Sequence, residues 1–173
     1  VNAAGIPAPT KILDRDGNPC QLDKFTKVIM VNLVGTFNVM SKCVAVMARN
    51  APDDLGERGV VINVSSGAAY EGQIGQAGYS ASKAGVIGMN MPAARELGAV
   101  GVRVNAIAPG LFLTQMVKSL GEKVVVSLVD TVEAPRRAGD PMEFAHACQF
   151  IVENGYLNGE TIRLDAATRL RAR

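Results

Sequence analysis

The chain has 173 residues, 48% of them hydrophobic and 20% charged, and a net charge of +2. That balance belongs to a folded domain rather than a disordered chain, and the length predicts one domain over residues 1–173. So small a charge argues against a nucleic-acid or membrane-surface partner, and the arginines at the end, from Arg169 onward, read as a solvated tail.

Cys20, Cys43 and Cys148 are widely spaced, and His146 is the only histidine. Neither the count nor the spacing suits a metal site, so we expect no metal and free thiols in a reducing compartment, taken to be the cytoplasm. No apolar run reaches the length of a membrane span, and no secretory leader is expected. The chain opens on Val1, inside the strand-like stretch VNAAG, from which a partial chain is expected.

Phe25, Val28, Ile29, Leu33, Phe37, Met40 and Val44 recur at spacings of three and four, which predicts one helix over about 22–49. Asp23 falls in its first turn, where an acid favours the helix dipole. Pro52, Asp53, Asp54 and Gly56 mark a loop. GVVINVSS, residues 59–66, is rich in β-branched residues and predicts a buried parallel strand. A glycine-rich loop leads to a helix over about 79–97, then to a strand from Val102, stopped by Pro109 and Gly110. Residues 114–132 predict a helical lid. Pro141 starts a helix to about 153 in a favoured first-turn position, and 161–164 predict a last strand. Short apolar runs alternating with helices imply an α/β fold with a parallel sheet.

In such sheets ligands bind beyond the strand ends. Three groups lie there: Asn2 to Gly5, Ser65 with Ser66, and Pro109 to Thr114. Tyr79 and Lys83 are four residues apart and share a helix face. On spacing alone, a surface pair is the commoner reading. The chemical reading is acid–base work, because a nearby ammonium favours the phenolate and lowers a tyrosine's ordinary value of about 10. Bringing it near neutrality takes roughly 4 kcal/mol, more than one exposed lysine supplies. Ser66, 13 residues before Tyr79, could fold back beside the phenol and hold a substrate oxygen, although a serine after a strand is usually a turn residue. Asn32 lies inside an apolar helix, where asparagine is unfavourable; it either ties structure together or holds a water. GQIGQAG, residues 72–78, has the wrong glycine spacing for a phosphate loop.

The order NAAG, VNLVG, VINVSS, YSASK and APG with a threonine four residues on resembles the short-chain dehydrogenase/reductase family, over essentially the whole chain. Within it, NLVGTFNV, EGQIGQAGYSASKAGVIGM, IAPGLFLT, SLGEKV, GDPMEFAH and NGETIRLD are similar to the type II 3-hydroxyacyl-CoA dehydrogenases. The resemblance implies a Rossmann-like sheet with helices on both faces, without the first βαβ units and their TGxxxGxG loop. It implies hydride transfer between NAD (or NADP) and a 3-hydroxyacyl-CoA or related secondary alcohol. Tyr79 would be the acid/base, Lys83 would lower its pKa and hold the nicotinamide ribose, Ser66 would bind the substrate oxygen, and Asn32 would anchor a relay water. A cationic nicotinamide ring beside a desolvated lysine would supply the missing stabilisation of the phenolate. Asn2, Ala3, Ala4, Gly5, Pro109, Gly110, Phe112 and Thr114 would line the cofactor with Tyr79 and Lys83, and Gln73 and Gln76 would face the substrate. A homotetramer is implied. A carrier-protein 3-ketoacyl reductase shares these catalytic residues, and a non-catalytic interaction module is a further alternative. Without the glycine loop, which seats the pyrophosphate at a helix N-terminus, the chain alone is expected to bind cofactor weakly and to be inactive, with an apolar sheet edge exposed. Ala166 stands where relatives usually have glycine, which strains the turn if φ is positive there.

Overall fold

In a computed structural model, which describes residues 1–118 and 121–172, three parallel strands form one sheet in the order β1 (Gly59–Val64), β2 (Val102–Pro109), β3 (Thr161–Leu164). Val61 pairs with Val104 and Ile62 with Asn105; Ile107 pairs with Ile162. The VNAAG stretch lies along the free side of β1 but forms a bridge rather than a strand. Asn2 N donates to Ile62 O at 2.8 Å, Val64 N donates to Asn2 O at 3.1 Å, and Asn2 pairs with Asn63.

The helices in chain order are α1 (Leu22–Ile29), α2 (Gly35–Met47), α3 (Ala77–Gly98), α4 (Gln115–Lys118), α5 (Glu122–Val129) and α6 (Pro141–Glu153). Side chains alternate across the strands with period two. Val61, Val102 and Val104 pack with Met40, Val44 and Ala94 under α2 and α3. Ile62 and Ile107 face the other way and meet Ile151 of α6. The sheet therefore has helices on both faces, as expected.

Three expectations need correction. The helix from 22 onward is not uniform: a π segment, Met30–Val34, joins α1 to α2, with Asn32 at its centre. Its buried residues, Val28, Asn32, Thr36, Met40 and Val44, follow at steps of four and face the sheet and α3. The outer side is apolar too: Met30, Val34 and Phe37 are exposed, Phe37 by 56%. By length and composition residues 22–47 are thus sufficient for a membrane span, with a mean hydropathy of 1.5, contrary to the sequence reading. The lid is not one helix either. It is two short ones, and Gly121 precedes the second with φ 87°.

Candidate active site

The C-terminal strand ends open into a cleft of about 360 Å³. Ala3 and Gly5 stand beside it from the bridge segment, Ser65 and Ser66 follow β1, and Pro109, Gly110, Phe112 and Thr114 follow β2. Helix α3 adds Tyr79 and Lys83 from one face. Of the residues singled out in the sequence, these ten positions share one wall. Gln76 lines an adjoining recess of about 150 Å³ together with Ser66 and Tyr79.

Burial controls the chemistry of the pair. Lys83 is 4% exposed, and its Nζ donates to Val64 O at 2.8 Å, 5.9 Å from the centroid of the Tyr79 ring. Desolvation lowers the Lys83 ammonium to about 8. Desolvation also raises the Tyr79 phenol, and a hydrogen bond with the Ser66 side chain opposes that rise. The expected lowering of Tyr79 by Lys83 is therefore not what this structure shows. The ammonium is directed at a carbonyl, and burial penalises both charged forms. What the structure does hold is a phenol whose charged form burial disfavours, beside a lysine whose ammonium is lowered to about 8.

Several contacts set this geometry. Ser65 Oγ donates to Lys83 O at 2.8 Å, which ties the end of β1 to α3. Ser66 Oγ accepts from Ala68 N at 3.2 Å and caps the 3₁₀ turn Gly67–Ala69. A Cβ on Gly5 would lie 3.2 Å from Asn32 Oδ1 and 3.5 Å from Lys83 Nζ, so only glycine lets the backbone pass this close without displacement.

Four of the singled-out residues line neither the cleft nor the adjoining recess. Asn32 is fully buried: its Oδ1 accepts from Ile6 N at 2.8 Å, and its Nδ2 donates to Ile6 O at 3.0 Å and Ser82 Oγ at 3.1 Å. With both amide hydrogens engaged, its side chain clamps the loop after Gly5 to α3. Asn2 Nδ2 donates to Asn63 Oδ1 at 2.8 Å, fastening the bridge segment. Ala4 is exposed and is not part of the cleft lining. Gln73 Nε2 donates to Arg171 O at 3.2 Å, so it binds the C-terminal tail.

Other wall residues went unrecognised in the sequence. Pro141 and Phe144 of α6 close the far side of the cleft, and the Phe144 ring meets Phe112 edge-on, with centroids 6.0 Å apart. A phenylalanine in an amphipathic helix carries no mark that separates cleft wall from core. Thr168 and Leu128 line the recess beside Gln76 and Tyr79.

The profile of the short chain dehydrogenase family matches residues 1–125, the stretch that holds Ser66, Tyr79 and Lys83. The chain belongs to the short-chain dehydrogenase family. It is 51% identical over 172 residues to the 3-hydroxyacyl-CoA dehydrogenase type-2 of Rattus norvegicus and, equally, to that of Homo sapiens, matching 99% of this chain and 66% of each relative. A crystal structure of 3-hydroxyacyl-CoA dehydrogenase type-2 from Mycobacterium avium superposes with a TM-score of 0.93 at 43% identity, covering 98% of this chain and 65% of that one. The chain thus spans just under two thirds of the length of these relatives.

Proposed function

We propose that this chain carries the proton-transfer centre of a nicotinamide-dependent dehydrogenase that interconverts 3-hydroxyacyl-CoA and 3-ketoacyl-CoA. The observation that carries the reading is the shared wall of Ser66, Tyr79 and Lys83, with a buried lysine near neutrality, in a chain half identical to 3-hydroxyacyl-CoA dehydrogenases.

The cleft suits the nicotinamide half of such a cofactor. Gly5 keeps its backbone free of a side chain beside Lys83, and Ala3, Pro109 and Gly110 present small or apolar surface. Lys83 would hold the ribose hydroxyls, and Thr114 and Phe112 would flank the ring. When bound there, the nicotinamide supplies or accepts the hydride. The remaining work falls to the protein. Ser66 and the Tyr79 hydroxyl hold the substrate oxygen, and Tyr79 gives it a proton in reduction and takes one in oxidation. Lys83 in its ammonium form stabilises the phenolate so produced, and that form predominates below about pH 8. NAD is the cofactor we assign, with NADP as the comparison.

We also read the apolar outer side of residues 22–47, with Phe37 more than half exposed, as a subunit interface of a homotetramer. Gel filtration with light scattering checks this; a monomer at micromolar concentration counts against it.

The assay follows NADH and NADPH absorbance with acetoacetyl-CoA, using the protein encoded by its complete reading frame. Turnover is expected, and Tyr79→Phe should reduce it by about 10³-fold. Absence of turnover with any ketoacyl or hydroxyacyl thioester removes the substrate assignment. Full activity in Tyr79→Phe removes the mechanism.

A further inference from the structure

The Phe112 ring stands between two spaces. It lines the cleft, and it also lines a smaller cavity of about 190 Å³ whose wall includes Gly139. A ring with open space beside it on two sides has fewer packing partners than a core ring, so its position needs another cause. Two contacts supply it. Phe144, in the cleft wall, meets the ring edge-on, with the centroids 6.0 Å apart. Gly139, in the wall of the second cavity, comes closer still. A Cβ at that residue would lie 2.6 Å from Cε1, 2.7 Å from Cδ1 and 3.0 Å from Cζ of Phe112, all short of the 3.4 Å at which ordinary contact begins.

The backbone leaves neither partner free to retreat. Phe112 and Gly139 face each other in a parallel bridge: Gly139 N donates to Leu111 O at 2.9 Å, and Leu113 N donates to Gly139 O at 3.0 Å. Asp140, next in the chain, caps α6 by accepting from Met142 N at 2.8 Å, so residue 139 is fixed from both directions. A side chain at 139 would therefore displace the Phe112 ring more readily than the bridged backbone. Conformational freedom is not what the glycine provides, because its φ lies outside the left-handed region. What it contributes is the missing Cβ.

We propose that Gly139 is a positioning residue for the nicotinamide: by lacking a Cβ it lets the Phe112 ring lie back against the chain and keeps that wall of the cleft where the cofactor's ring fits. This rests on the function proposed above, which places Phe112 beside the nicotinamide. Gly139 is not itself part of the cleft lining, so it acts through Phe112. Displacing the Phe112 ring weakens ligands that carry a nicotinamide and spares those that end at its ribose.

The test compares binding of NADH with that of ADP-ribose, which lacks the nicotinamide (or NADPH with its nicotinamide-free counterpart, if NADPH binds more tightly). Titration calorimetry gives Kd for the protein encoded by the complete reading frame and for Gly139→Ala, Phe112→Leu and the double variant. Gly139→Ala should weaken NADH about tenfold and ADP-ribose by less than about twofold. Phe112→Leu alone should also weaken NADH and spare ADP-ribose. Once that ring is gone, adding Gly139→Ala should change the NADH constant by less than about twofold. Equal weakening of both ligands by Gly139→Ala, no weakening of either, or an undiminished effect of Gly139→Ala beside Phe112→Leu overturns the inference and leaves the proposed function standing. So does a Phe112→Leu variant that binds NADH as the unaltered protein does. If Gly139→Ala does not fold, a folded double variant that matches Phe112→Leu carries the inference. A double variant that does not fold, or that binds NADH more weakly than Phe112→Leu, overturns it. If the unaltered protein binds neither NADH nor NADPH, the proposed function falls and the inference with it.

Discussion

Helices 22–47 and α6 cover opposite faces of the same sheet, and they are held in different ways. Helix α6 is set at its ends. Asp140 accepts from Met142 N at 2.8 Å, Glu143 returns a bond to Asp140 N at 2.7 Å, and Pro141 occupies the first turn. Arg137 pairs with Glu143 and holds its carboxyl down at about 2. At the other end, buried Arg103 donates to Ile151 O and Val152 O at 2.8 and 3.0 Å, satisfying carbonyls that a helix C-terminus leaves free. Helix 22–47 has no side-chain cap at Gln21 and is fastened in its middle, through Asn32, to a loop and to α3. The π segment lies at that fastening, as such segments often do at functional sites. One helix is a support with local rules; the other is shaped by the site it serves.

The sharpest way to break this contrast is Asn32→Leu. It leaves the Ile6 N–H and C=O unpaired and unfastens α3, so we expect a loss of about 3 kcal/mol in urea unfolding, with faster amide exchange in residues 30–36. A variant with unchanged stability would mean that the π segment stands without its clamp.

Lys83→Met acts in the opposite direction. The folded value of Lys83 is near 8 against 10.5 for the free group, so the unfolded chain binds the extra proton between those pH values. Burying the ammonium therefore lowers stability fully below about pH 8, and the penalty is relieved as pH rises from 8 toward 10.5. Lys83→Met should gain roughly 2 kcal/mol at pH 7 while losing turnover, and its advantage in Tm should shrink by pH 10. An advantage that is the same at pH 7 and pH 10 would contradict the assigned burial.

Asp140→Ala should cost about 1 kcal/mol and fray only the first turn of α6, leaving the cleft residues as they are. Loss of turnover out of proportion to stability would show that α6 is more than a support, through Phe144. Ala166→Gly is the smallest change: it should gain about 1 kcal/mol by relieving a left-handed alanine at φ 49°, read as a rise in Tm. No gain would mean that the ion pairs of Arg163 with Glu71 and Asp165 already compensate the strain.

These differences follow how much of each region was legible beforehand. The span 141–153 of α6 and the strand at 161–164 were readable because proline, capping residues and β-branched runs act on their own neighbours. The Tyr79–Lys83–Ser66 grouping was readable too, since one helical turn and a strand end constrain it. The interruption at Met30–Val34 was not, because its cause is Ile6 and Ser82, 26 and 50 residues away along the chain from Asn32. Asn2 and Gln73, read as ligand-facing, turned out to be fastened to Asn63 and Arg171, since a polar side chain's partner depends on what folds against it.

The sequence by itself determined the alternation of strands and helices, the family, and which residue types could move a proton, because these follow from periodicity, turn chemistry and motif order. Only the tertiary structure decided that burial lowers Lys83 and raises Tyr79, and that the Asn32 side chain holds the backbone of Ile6. Desolvation and hydrogen-bond satisfaction depend on which distant segments exclude water around a group, and no local pattern in the chain encodes that.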